Sequence, residues 1–151
     1  MKKVKLFILA ILFLTFSFGA IYGIIFYKLP NAPMFSYWNV AGYDPGDPII
    51  LHKGQNKEMY IAAVAPVNIQ KFQIKVNMIF NGIQVEYPIP EDSYDITNTN
   101  LPIHEGEEFQ CRLDFPVLSS FPLGDGMLVL TFYGQDNLVI AGGAAKFTIS
   151  Q

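Results

Sequence analysis

Apolar and polar residues alternate through residues 72–87, FQIKVNMIFNGIQVEY, and the alternation breaks once, at Asn81-Gly82. A period of two marks a half-buried strand, and Asn-Gly between two such runs suits a two-residue type I′ turn, whose central positions both need positive φ. The segment predicts an antiparallel hairpin. Phe72, Ile74, Val76, Met78 and Phe80 share one face of its first strand, with Gln73, Lys75 and Asn77 on the other. A strand that buries one side needs a second layer to pack against. The same one-sided pattern returns at Phe109, Cys111, Leu113 and Phe115, with Gln110, Arg112 and Asp114 opposite, and again at Leu128, Leu130 and Phe132.

Strands are predicted at 49–52, 58–65, 72–80, 83–89, 107–117, 127–133 and 138–150, the last with a break at Gly142-Gly143. Turn residues separate them: Lys53-Gly54-Gln55-Asn56, Asn81-Gly82, Gly124-Asp125-Gly126 and Gly134-Gln135-Asp136-Asn137. The link from Pro90 to Gly106 is predicted to hold a short helical turn near Ser93. The expected fold is all-β, an immunoglobulin-like β-sandwich of about seven strands, preceded by one N-terminal hydrophobic helix.

That helix is expected from residues 6–27, which carry no charge and follow the basic Lys2, Lys3 and Lys5. The segment is either a signal peptide cut near Ser17-Phe18-Gly19 or Ala20, or an uncleaved anchor, since about 20 apolar residues span a bilayer. The lysines hold the amino end in the cytoplasm in either case. The domain is therefore expected in the secretory pathway, in the extracellular or endolysosomal lumen, or on a single-pass anchor with its C-terminal part non-cytoplasmic. Residues 1–28 are read as this signal, 29–48 as a Pro/Gly-rich linker and domain start, and 49–151 as the sandwich.

A chain of 151 residues with 51% hydrophobic content suffices for one domain with a real core. The net charge of −3 comes with scattered cations beyond the first five residues, which excludes a nucleic-acid footprint. Only His52 and His104 offer an imidazole base, and neither lies in a catalytic motif. Glu105, Glu107 and Glu108 lack calcium-loop spacing and read as a solvated strand edge. Gly124-Asp125-Gly126 precedes a strand, so it presents no helix N-terminus to phosphate. The single cysteine, Cys111, falls in the apolar row with Phe109 and Leu113 and reads as an inert buried thiol. No enzyme, metal or cofactor is expected. Trp38, with Phe35 and Tyr37, suits either packing on the sandwich or a membrane surface.

Several stretches in order along the chain resemble the ML family of lipid-recognition domains, which includes sterol- and phospholipid-transfer proteins. They are Tyr37-Trp38-Asn39-Val40-Ala41-Gly42, Lys53-Gly54-Gln55, Leu101-Pro102-Ile103-His104-Glu105-Gly106-Glu107, Phe121-Pro122-Leu123-Gly124-Asp125-Gly126-Met127-Leu128, and Gly134-Gln135-Asp136-Asn137-Leu138-Val139-Ile140-Ala141-Gly142. The chain departs from the family at Ala41, Leu101 and Gly142, where cysteines are usual. Disulfides worth roughly 2 to 5 kcal/mol each in a small exported domain are thereby lost, leaving stability to packing.

The resemblance implies two sheets spread apart at one end, with a sterol or a phospholipid acyl chain held between them. Apolar walls are enough for this, since each buried methylene contributes about 0.8 kcal/mol. The expected lining is Phe72, Val76, Met78 and Phe80 from one strand, Val85 and Tyr87 from its hairpin partner, and Phe109, Leu113 and Phe115 from the next. Leu130 and Phe132 complete it, with Leu118, Phe121 and Pro122 at the mouth. The expected partners are a lipid, the membrane if the N-terminal segment stays uncleaved, and no nucleic acid. The alternative is a membrane-anchored immunoglobulin-like protein-interaction module with a filled interior and no ligand cavity.

Overall fold

The computed structural model describes residues 24–42 and 48–151, and within them two β-sheets pack face to face. Four strands form one sheet in the order β1 (Tyr37–Val40), β3 (Asn56–Val64), β7 (Glu108–Pro116) and β6 (Tyr94–Ile96). Five form the other: β2 (Ile49–His52), β9 (Val139–Ser150), β8 (Gly124–Tyr133), β4 (Gln73–Phe80) and β5 (Ile83–Tyr87). All neighbours are antiparallel except β2 and β9, which run parallel with Ile49 opposite Phe147. The all-β sandwich is thus present. Of the hydrophobic helix expected over residues 6–27, residues 6–23 lie outside the described ones, residues 24–27 are not helical, and no helix among the described residues is long and apolar enough to cross a membrane.

The Asn81-Gly82 hairpin forms, with φ of 50° and 78° at the two turn residues. Its twist matches the flanking strands, so Val76, Met78 and Phe80 stand opposite Tyr87, Val85 and Ile83. Across the other sheet, register aligns Trp38 with Ile61, Ile61 with Cys111, and Cys111 with Ile96, an inward row spanning four strands. A short 3-10 turn at Glu91–Ser93 occupies the position expected near Ser93.

Two strands go beyond the sequence expectation, and both are short edges. β1 lies within the stretch read as a linker, where Pro and Gly on either side obscure a four-residue strand. β6, with only three residues, is hidden in the long link after Pro90. The segment before β1 also belongs to the sandwich. Tyr27 and Ala144 exchange backbone hydrogen bonds of 2.7 and 3.0 Å, Gly142 donates to the Pro33 carbonyl, and Ile24 donates to that of Trp38. This strap joins the edge of β1 to the part of β9 that β2 leaves uncovered, and it buries Ile24, Ala32 and Phe35. The apolar run ending at Tyr27 and the sandwich therefore share residues 24–27.

The expected break at Gly142-Gly143 does not occur, because β9 continues through both residues. Their missing side chains make room for the strap instead. A Cβ on Gly143 would meet the Phe35 ring at 3.0 Å, and one on Gly142 would meet Leu29 at 2.6 Å. Gly124-Asp125-Gly126 likewise begins β8 instead of forming a separate turn. A Cβ on Gly126 would lie 2.5 Å from the Ile79 carbonyl and 2.6 Å from the Phe147 ring. Close approach of side chains and backbone from other segments explains these glycines.

Candidate lipid-binding site

The interior has two ends of different character. At one end, aromatic rings from both sheets and the strap meet around Phe132. Its ring centroid lies 4.8 Å from Phe35, 4.9 Å from Phe72 and 6.0 Å from Phe109, and Phe35 packs edge-on against Trp38 at 5.7 Å. Tilted and edge-to-face pairs at such spacings add about 0.5 to 1.5 kcal/mol each beyond their area burial. Trp38, which sequence alone left between sandwich and membrane surface, is wholly buried here. Its indole nitrogen has no hydrogen-bond partner.

The opposite end is less covered. Phe80 packs on Phe147 at 5.2 Å, and Tyr87 packs on Phe115 at 5.4 Å and on Phe121 at 5.2 Å. The Tyr87 hydroxyl donates to the Pro116 carbonyl at 3.2 Å, tying β5 to the end of β7. Partial burial pushes the Tyr87 phenol above its ordinary range, which preserves it as a donor. Beyond that tie the two sheets no longer cover each other. Ile83 and Val85 share the inward face with Phe80 and Met78 by register, yet they are 68% and 54% exposed. Both edge strands at this side are short, β6 with three residues and β5 with five.

The expected lining residues separate along this axis. Val76, Met78, Phe109, Leu113, Phe115, Leu130 and Phe132 are buried, and Phe72, Phe80, Tyr87 and Phe121 are half-buried. Val85 faces inward but is open to solvent, so it stands at the rim and not in an enclosed wall. Leu118, 45% exposed, lies in the loop after β7 with Phe121 and the exposed Pro122. Sequence reasoning missed the walls from β1, β3 and β9: Trp38, Met59, Ile61, Phe147 and Ile149 are buried in the same core. Alternation through Met59, Ile61 and Ala63 was the available signal for β3. Two depressions touch this core only at single rings. One of about 400 Å³ includes Phe147 with Pro48, Asp125, Met127, Lys146 and Thr148, and one of about 360 Å³ includes Phe72 with Lys71, Glu91 and the Gly134–Asn137 loop.

The polar candidates have local roles. Glu107 accepts hydrogen bonds from the His104 backbone and the Thr99 hydroxyl, both at 3.0 Å, and these hold its carboxyl below the usual range. His52 pairs with the Ser150 hydroxyl at 2.8 Å on the surface. No cluster of three metal-ligating side chains occurs among the described residues. Cys111 is buried, and that burial raises its thiol to about 12.

A family model described as ML domain matches residues 36–148. The chain belongs to the ML-domain family. Among curated proteins, this ML domain is 32% identical to the NPC intracellular cholesterol transporter 2 of Mus musculus over 78 residues, 52% of each chain. It is 28% identical to the protein of the same name from Canis lupus familiaris over 78 residues, again 52% of each. The aligned region thus spans about half the length of these relatives. Among solved structures, a Niemann-Pick type C2 protein from Japanese carpenter ant superposes with a TM-score of 0.72 at 14% identity, covering 83% of this chain and 99% of that one. Chicken MD-1 complexed with lipid IVa superposes with a TM-score of 0.51 at 13% identity, covering 82% and 87%. At these identities the structural likeness speaks for the ML fold.

Proposed function

We propose that this ML domain is an exported, non-catalytic lipid carrier that shelters the apolar part of a sterol or phospholipid between its sheets. The observation that carries this reading is the inward but uncovered pair Ile83 and Val85. A sandwich that only needed a filled core would have no use for an inward apolar row facing water. A guest lying over Ile83, Val85, Phe80 and Tyr87 would bury it, at about 25 cal/mol per Å². The tightly meeting rings around Phe132 form the floor, and the guest enters from the Tyr87 end. Relatives named for cholesterol transport and for a complex with lipid IVa favour a lipid occupant over the protein-interaction alternative. Export follows from the basic and then apolar N-terminal sequence.

Mass spectrometry of organic extracts from the purified, exported chain tests the proposal. A lipid at near-stoichiometric ratio is the expected result. A protein that is empty and also fails to take up fluorescent sterol or fatty acid would remove the carrier reading.

A further inference from the structure

Lys57 interrupts an otherwise apolar inward row. In β3 the register places Lys57, Met59, Ile61 and Ala63 opposite Phe115, Leu113, Cys111 and Phe109, all four of which are fully buried. Lys57 therefore points between the sheets, and it is half-buried. Its sequence neighbour Glu58 and the cross-strand Asp114 lie on the opposite, outward face, where Asp114 accepts from Asn56 and Glu58 pairs with Arg112. The ion pairs among the described residues are those of Arg112 with Glu58 and Asp95, and Lys57 takes part in neither.

The location matters as much as the charge. Directly opposed antiparallel residues hold their Cβ atoms about 4.5 to 5.5 Å apart, so the Lys57 stem runs beside Phe115. The Phe115 ring touches Tyr87, and Tyr87 touches Phe121. One flexible lysine stem thus starts beside the aromatic rim of the uncovered end. The flexible stem of an inward lysine lets its head reach the boundary between apolar interior and water, where an anion can meet it.

We infer that Lys57 selects a guest with an anionic head, a carboxylate or a phosphate monoester, whose apolar tail enters between the sheets. The inference rests on the carrier reading above and narrows it. The head sits at the rim against the ammonium, and hydrogen bonds to a charged group supply the preference over a neutral amphiphile of equal tail.

Matched pairs test it with the full chain: oleate against methyl oleate for the carboxylate, and oleoyl lysophosphatidate against monoolein for the phosphate. Competition with a fluorescent fatty acid reads the affinities. The expected result is that at least one acid binds about tenfold more tightly than its neutral twin. Whichever pair shows the larger ratio identifies the headgroup. The ratio should shrink as salt rises, collapse towards one in K57M and return in K57R. Equal binding of acid and neutral twin to the wild type overturns the inference while leaving the carrier reading intact. Persistence of the ratio in K57M also overturns it. Failure to bind all four compounds overturns the inference, while the carrier reading is decided separately by the lipid extracts and by uptake of fluorescent sterol. Circular dichroism of K57M and K57R checks the fold, and if K57M unfolds, K57Q takes its place in the same comparison.

Discussion

The Tyr87 hydroxyl and the Pro116 carbonyl, 3.2 Å apart, connect the edge strand of the five-stranded sheet to the end of β7 in the other. Tyr87 also meets Phe115 at a tilt and Phe121 edge-on, so one side chain braces the uncovered end through a hydrogen bond and two ring contacts. Tyr87→Phe keeps the rings and removes the tie. The expected cost is about 0.5 to 1.5 kcal/mol in urea unfolding, together with faster release of a fluorescent fatty acid in stopped flow. An unchanged release rate would show that the tie does not govern access.

The two ends of the interior should respond differently to the same substitution. Phe132 is wholly buried among Phe35, Phe72 and Phe109. Phe132→Asp places an unpaired carboxylate there and is expected to abolish folding, seen as loss of the cooperative thermal transition. Phe80 is half-buried near the rim, so Phe80→Asp should leave a folded protein that no longer takes up lipid. Lipid uptake by a folded Phe80→Asp variant would move the guest away from that wall.

Cys111 links burial to alkaline stability. Its thiol rises from the ordinary 9.0 to about 12, chiefly because burial penalises the thiolate and secondarily because Asp95 is nearby. With the folded value above the unfolded one, the stabilising contribution is complete below pH 9 and is lost as pH climbs from 9 towards 12. Cys111→Ala should therefore flatten part of the alkaline fall in denaturation midpoint. Tyr87 and Tyr94, both raised by burial, retain their share of that fall in the variant. In the native protein a thiol reagent at pH 8 should react with Cys111 only after denaturant is added; rapid labelling without it would contradict the buried assignment.

The strap supplies core and not merely reach. A chain beginning at Ile49 lacks Phe35, Trp38 and Val40, all buried, and the partners of the exposed β9 edge. It is expected to be insoluble or to melt without cooperativity, whereas one beginning at Ile24 gives a single cooperative transition. Comparable melting of the two would mean that the strap is dispensable.

Local pattern was enough wherever a strand was long and one-sided. The hairpin about Asn81-Gly82, the inward rows of β4, β7 and β8, and the buried position of Cys111 follow from period-two alternation and from the φ that the turn demands. The edge strands β1 and β6 were illegible because three or four residues carry too little periodicity to stand out against proline and glycine. The role of Gly142 and Gly143 was hidden for another reason: what a glycine makes room for, here Leu29 and Phe35, lies far away in sequence.

The sequence by itself determined that strands bury one face, which residues share that face, and that an apolar interior results, since those properties depend only on neighbours along the chain. Tertiary structure alone decided which inward residues are covered. Phe109 and Val85 both face inward in alternating strands, yet one meets the Phe72 and Phe132 rings and the other meets water, because what lies across the gap comes from elements distant in sequence. Coverage is a property of two sheets brought together, and no single strand encodes it.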